Sequence, residues 1–247
     1  MTNYLSISQR IHEILGQLIA GTKPGERLPS EPALAKRLGV SRATLREAMR
    51  TFETQGMIRR RQGSGTYVTH PSTVLDTGLE VLESIFTVGE RIGLQLSLGE
   101  CRTEHRTATE EEALALEIDP GQQVVFVART ILAQKRPIAY LIDILPDDIL
   151  TLDELNDDFR GSVLDVLLHR GTPRLMTSRT IIDAVTATPE IARLLGIQRG
   201  DVLLRFIAYL YATTRRVVDY SFSYWLPGFF RFHVMRRIGY SEMGDSG

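Results

Sequence analysis

Leu38-Gly39-Val40-Ser41-Arg42-Ala43-Thr44-Leu45-Arg46-Glu47-Ala48 decides the fold of the first part of this chain. Gly39-Val40 breaks one helix, and Ser41 is a natural N-cap for the next. Beyond it Leu45, Ala48, Met49 and Phe52 recur as one apolar stripe, with Arg42, Thr44, Arg46 and Arg50 mostly off it. That helix should run to Gln55 and end at Gly56, a residue suited to the left-handed C′ position.

Upstream, Ser30 can cap a short helix over Glu31 to Leu38, with Ala33, Leu34 and Leu38 facing inward. Before it Pro24-Gly25 turns the chain. Ile7, Ile11, Ile14, Leu15, Leu18 and Ile19 predict a first helix, with Ser6 and Gln9 as a capping box and Gly21 as its stop. Downstream, Met57 to Arg61 and Thr66 to Thr69 read as short strands joined by Gln62-Gly63-Ser64-Gly65, a hairpin whose glycines let backbone approach a surface closely. Two helices around a short glycine-containing turn make a helix-turn-helix, and the hairpin makes it winged. The second helix would place its N-terminal end in a major groove, Arg42 and Arg46 dividing base and phosphate contacts. Arg59, Arg60 and Arg61 would add charge for the phosphate backbone.

The charge distribution agrees with a polyanion at this end only. The whole chain of 247 residues has a net charge of −1. Residues 1–70 hold eleven Lys and Arg against five Glu, a net of +6, which leaves −7 for the remainder. No apolar run is long enough to span a bilayer and no signal pattern opens the chain, so a cytoplasmic protein without a membrane partner is expected. The lone Cys101 reads as a small buried hydrophobe. The histidines at 12, 70, 105, 169 and 233 show no metal-ligand spacing, so neither metal nor cofactor is expected.

His70-Pro71-Ser72-Thr73 breaks the periodicity, and the expected organisation is a DNA-binding domain over 1–70, a linker over 71–76 and a second domain over 77–247. That second domain repeats itself. Residues 111–121 align with 190–200 at a constant offset of 79, each copy reading as a short helix, a turn at Gly121 or Gly200, and a hairpin. The hairpin strands are Val124 to Ala133 with Ile138 to Leu145, and Val202 to Ala212 with Val217 to Leu226. Between the copies lie a helix over 162–170, capped by Ser162 and closed by Gly171, and a strand over 174–186. The fold class is α+β in two domains, the second a mostly antiparallel sheet with helices.

Leu28-Pro29-Ser30-Glu31, the stretch quoted first, Gly56-Met57-Ile58 and Gly63-Ser64-Gly65-Thr66-Tyr67-Val68 together resemble the DNA-binding domain of the GntR family of bacterial transcription regulators. The resemblance implies DNA contacts from Ser41, Arg42, Thr44 and Arg46, and a wing tip at Gln62, Gly63, Ser64 and Gly65 in the minor groove. Pro32 stands where some relatives carry a DNA-contacting Arg. The second domain resembles the UTRA effector-binding domain of the HutC subfamily, with its chorismate-lyase-like fold. It does so through Arg129, Pro137, Leu145-Pro146, Ser162, Val218-Asp219-Tyr220, Tyr224 and Arg231-Phe232. This resemblance implies effector contacts from Ser84, Arg129, Ser162, Asp219 and Tyr224.

Arg129 has the geometry for a phosphate or carboxylate, yet it can equally pair with Asp143 or Asp219. Ser162 is an anion seat or only a helix cap, and Tyr224 a ligand contact or core. Ile131 replaces the second Arg of sugar-phosphate-binding relatives, which leaves a less anionic effector open. An enzyme is not expected: no nucleophile–base arrangement appears, and Glu110, Glu111 and Glu112 read as a solvated helix face. The whole reads as a repressor acting as a homodimer on an inverted-repeat operator in double-stranded DNA. A small-molecule effector, for which Arg129 makes an anion an option, would release it.

Overall fold

In a computed structural model that describes residues 7–54, 57–61, 63–68, 75–156 and 159–236, the first helices follow the periodicity closely. Helix α1 spans Ile7–Ala20, α2 Glu31–Leu38 and α3 Arg42–Thr54. Ser30 accepts a bond from Ala33 N at 3.4 Å, and Gly39 stops α2 at a φ of 67°. Ser41 caps α3, its Oγ accepting from Thr44 N at 3.0 Å. Leu15, Leu34, Leu45, Met49, Phe52 and Ile58 form the centre of one hydrophobic core, and His12 stacks on Phe52 with ring centroids 4.3 Å apart. The expected caps at Ser6 and Gly56 lie outside the described residues.

The wing is strand β1, Ile58–Arg61, antiparallel to β2, Gly65–Val68. The turn between α1 and α2 supports it. Leu28 N donates to Thr66 O at 2.8 Å, and Gly25 N and Val68 N bond Val68 O and Glu26 O. Leu28 is buried under the wing, so the Pro24-Gly25 turn fixes the hairpin against the helices.

Strand β3, Leu75–Gly78, begins inside the stretch expected to be linker, and it pairs in parallel with β10, Phe230–His233. The second part is α+β as expected. Its six-stranded sheet has the order β4-β5-β6-β9-β8-β7, every neighbouring pair antiparallel. The strands are β4 Leu96–Thr107, β5 Gln123–Ala133, β6 Arg136–Pro146, β7 Leu175–Thr186, β8 Val202–Ala212 and β9 Val217–Trp225. The repeat is longer than the sequence showed. β4, α5 (Glu110–Leu116) and β5 recur as β7, α7 (Pro189–Leu195) and β8 at the same offset of 79, and Thr109 and Thr188 cap the two helices alike. The helices before them, α4 (Ile85–Arg91) and α6 (Val163–Arg170), are likewise capped by serines, Ser84 and Ser162.

Helices pack on both faces of the sheet. Helices α5 and α7 cover one, packing on Tyr140, Ile144, Tyr220 and Leu203. On the other, α4 and α6 contribute Val88, Val163 and Leu167 to two further clusters, and the space between them stays open. Two expectations are corrected. Cys101 is exposed, because β4 is an edge strand and the residue falls where that strand has little cover. Glu112 turns inward: it closes a capping box with Thr109 and makes a bidentate pair with Arg106 at 2.7 Å. Burial pushes its pKa up, but Arg106 and the Thr109 amide outweigh that and hold it below the usual value.

Candidate DNA interface and effector cavity

The apolar stripe of α3 faces the core, which leaves Ser41, Arg42, Thr44 and Arg46 exposed on the opposite side. Their surroundings are unequal. Ser41 Oγ serves the cap and also lies 2.8 Å from Thr44 Oγ1. Arg46 Nε bonds Glu31 Oε2 at 2.7 Å, and its carbonyl accepts from Arg60 Nη2. Arg60 lies between Glu31 and Glu53, each 3.6 Å away, so it braces α2, α3 and the wing instead of offering free charge. Arg59 is also engaged, donating to Gln134 Oε1 at 3.0 Å. Arg61 stays on the wing surface, over the Tyr67 ring at 4.9 Å.

At the wing tip Gly63 and Gly65 adopt φ of 74° and 116°, conformations that favour glycine. Ser64 Oγ lies 2.7 Å from Tyr67 OH, which fixes the tip on β2. Gln62, expected to touch DNA with them, lies outside the described residues. The remaining seven expected DNA contacts therefore fall on two elements, the exposed start of α3 and the wing.

The open side of the sheet is a cavity of about 780 Å³. Strand parity makes its floor: Arg129 of β5, Leu141 and Asp143 of β6, and Asp219, Ser221 and Ser223 of β9 all line it. The segment after β3 and the starts of α4 and α6 form its walls, bringing Ser84 and Ser162 to the same space. Ser84 Oγ donates to Asp165 Oδ2 at 2.7 Å and so ties α4 to α6, while Ser162 Oγ accepts from Asp165 N at 3.0 Å. Both serines are buried caps. Tyr224 is a correction: two-residue alternation from Asp219 places it on the other face, where it stacks near Tyr140 with centroids 6.1 Å apart.

Arg129 is nearly fully buried, and two of its three nitrogens bond inside the protein. Nε bonds Gly161 O at 2.7 Å, and Nη1 pairs with Asp143 Oδ2 and reaches Val127 O. Of the alternatives open in the sequence, the pairing with Asp143 is the one present. Beside this pair Asp219 is buried, and its carboxyl pKa is pushed well up, first by burial and then by the charge of Asp143. The sequence did not single out Asp143's own place on the cavity floor, although its two-residue spacing from Leu141 would have supplied it. Among the described residues no group of His, Cys, Asp and Glu is placed to hold a metal, and no helix is long and apolar enough to cross a membrane.

A family model described as "Bacterial regulatory proteins, gntR family" matches residues 7–68, and one described as "UTRA domain" matches residues 101–231. The chain belongs to the GntR family and carries a UTRA domain. As a GntR regulator it is a DNA-binding transcription factor, not an enzyme. It is similar to the histidine utilization repressor of Pseudomonas aeruginosa, 30% identical over 195 residues that cover 77% of this chain and 75% of that one. It is also similar to the HTH-type transcriptional repressor NagR of Bacillus subtilis, at 26% identity over 92% of this chain and 95% of the other. Among solved structures, PhnF from Mycobacterium smegmatis shares the fold of this GntR regulator with a TM-score of 0.62 at 21% identity, covering 93% of this chain and all of PhnF.

Proposed function

We propose that this regulator is a cytoplasmic repressor that binds an inverted-repeat operator as a homodimer and is released by a small metabolite in the sheet cavity. The observation that carries this reading is the junction of two features in one chain. An exposed, arginine-bearing helix start with a glycine wing is coupled to a roomy cavity floored by polar side chains. The named repressors it resembles support the sign of the response.

The division of labour follows the expected organisation: residues 1–70 for DNA, a short connection, and the remainder for sensing and self-association. Ser41, Arg42, Thr44 and Arg46 read the major groove, and Gly63, Ser64 and Gly65 approach the backbone or minor groove. Ser84, Arg129, Ser162 and Asp219 surround the effector. Arg129 acts through its pair with Asp143, shaping the floor. The test is fluorescence anisotropy of the full chain on its operator in the presence of pooled metabolites. Release by at least one pool supports the reading, and indifference to all of them contradicts it.

A further inference from the structure

Along β9 the cavity floor carries two polar atoms with no hydrogen-bond partner, Asp219 Oδ1 and Trp225 Nε1, both buried. Ser221 and Ser223 lie between them on the same face. Buried polar atoms are almost always paired, so two orphans bordering one cavity mark where a ligand completes the bonding. The atom at the acidic end is a carboxyl oxygen, which asks for a donor.

The charge around it points the same way. Among the described residues, the charged or titratable groups lining the cavity are Arg129 from β5, Asp143 from β6, Asp219 from β9, and Glu80 and Glu83 from the segment before α4. The one cation among them, Arg129, already pairs with Asp143. Glu83 pairs with Arg91 at 2.7 Å outside the floor, and Glu80 accepts from Met235 N. The groups contributed by α6, β7 and β8 are hydroxyls and apolar side chains. The duplication explains the space: the positions matching Arg129, Leu141 and Asp143 in the second hairpin are Ala208, Ser221 and Ser223, as the two strand registers show. Small side chains in the second half thus stand where the first half carries Arg129, Leu141 and Asp143.

Resting on the sensor reading above, we propose that the effector carries a cationic nitrogen, an amine, amidine or imidazole, seated on Asp219 beside Asp143, with an aromatic ring toward Phe206 whose π-face accepts from Trp225 Nε1. The aromatic end is built for such a ring, since Trp225, Phe206, Phe230 and Phe232 pack together there. Burial first, then the charge and hydrogen bond of Asp143, push the Asp219 carboxyl toward its protonated form, against the pull of Arg129 and the Ile144 amide. An arriving cation pairs with the carboxylate form, so whatever proton Asp219 holds leaves for solvent as the ligand binds. Affinity therefore rises with pH until the ligand's own nitrogen loses its charge.

The test uses the full chain and paired probes: phenethylamine and tryptamine against phenylacetate and indole-3-acetate, with inorganic phosphate. Thermal melting and calorimetry in two buffers of unlike ionisation heat are the readouts. The amines should raise the melting temperature and release protons on binding. Asp219→Asn should abolish that release and weaken the amines by about tenfold or more. Stabilisation by the acids or phosphate with the amines silent overturns the charge assignment and leaves the sensor reading standing. Amine binding without proton release, unchanged in Asp219→Asn, overturns Asp219 as the seat, and silence of both amines at millimolar concentration overturns the proposal. The sensor reading fails separately, if no metabolite pool releases operator.

Discussion

Arg42 and Arg46 stand four residues apart on the outer side of α3, but only Arg46 is tied down, by Glu31. A side chain already paired within the protein must trade that bond for a base or phosphate, so Arg42 is the stronger base reader. Arg42→Ala should cost about 1–3 kcal/mol at the operator, and relax specificity at one base position. Anisotropy titrations on operator and single-base variants check this; uniform weakening across all variants would reduce Arg42 to a phosphate contact. On the cavity floor, Arg129→Ala leaves Asp143 buried without its partner and should destabilise the second domain by about 3–5 kcal/mol, read by chemical denaturation. Asp219 acts in the opposite sense. Its folded pKa is raised, so folding takes up a proton, and stability falls as pH climbs from the usual carboxyl value near 3.8 toward the folded one. Asp219→Asn should flatten that part of the stability–pH curve.

The wing is the element where backbone conformation matters most. A Cβ at Gly65 would lie 2.5 Å from Arg27 Nε and would sit at a φ of 116°. Gly65→Ala should therefore distort the tip and weaken operator binding while α1–α3 keep their helical signal by circular dichroism; unaltered operator affinity would remove the wing from the interface. The wing and the three helices were legible because each has a cap, a stop and one apolar face within a few residues. The second domain was legible only in part. The helix and hairpin of each repeat announce themselves by spacing, but β4 does not. From Gly99 to Arg106 its residues are almost all polar, as an edge strand with an exposed flank permits, and no alternation marks it. Tyr224 was misplaced for a simpler reason, because counting by two from Asp219 would have put it on the helix-covered face. The Arg129–Asp143 pair needed the strand register, which sequence alone leaves open.

At the scale of the whole molecule the question is how a cavity on the sheet reaches α3. The turn of the β5–β6 hairpin touches the DNA-binding part directly. Arg136 Nη2 donates to Glu53 O near the end of α3 at 3.1 Å, and its guanidinium lies over the Phe229 ring at 5.5 Å. Burial pulls the Arg136 pKa down, with Glu53 opposing, so this cation is held at some cost in a joint between the two parts. Gln198 Nε2 adds a bond to Glu47 Oε2 at 3.3 Å. β5 and β6 also carry Arg129 and Asp143, so ligand at the floor and helix at the joint share two strands. Allosteric coupling of this kind is commonly about 5- to 150-fold in operator affinity. In Arg136→Ala that factor should fall toward unity, measured as operator affinity with and without effector; full coupling in the variant would place the route elsewhere. The central claim is that this chain reads a defined DNA sequence with two copies of α3. The most direct measurement is selection of bound duplexes from a random library by the full chain, followed by sequencing. Enrichment of one inverted repeat with half-sites about one helical turn apart or closer is expected, relaxed at one base position of each half-site in Arg42→Ala. Recovery of duplexes with no common sequence, or of an unrepeated single site, would contradict it.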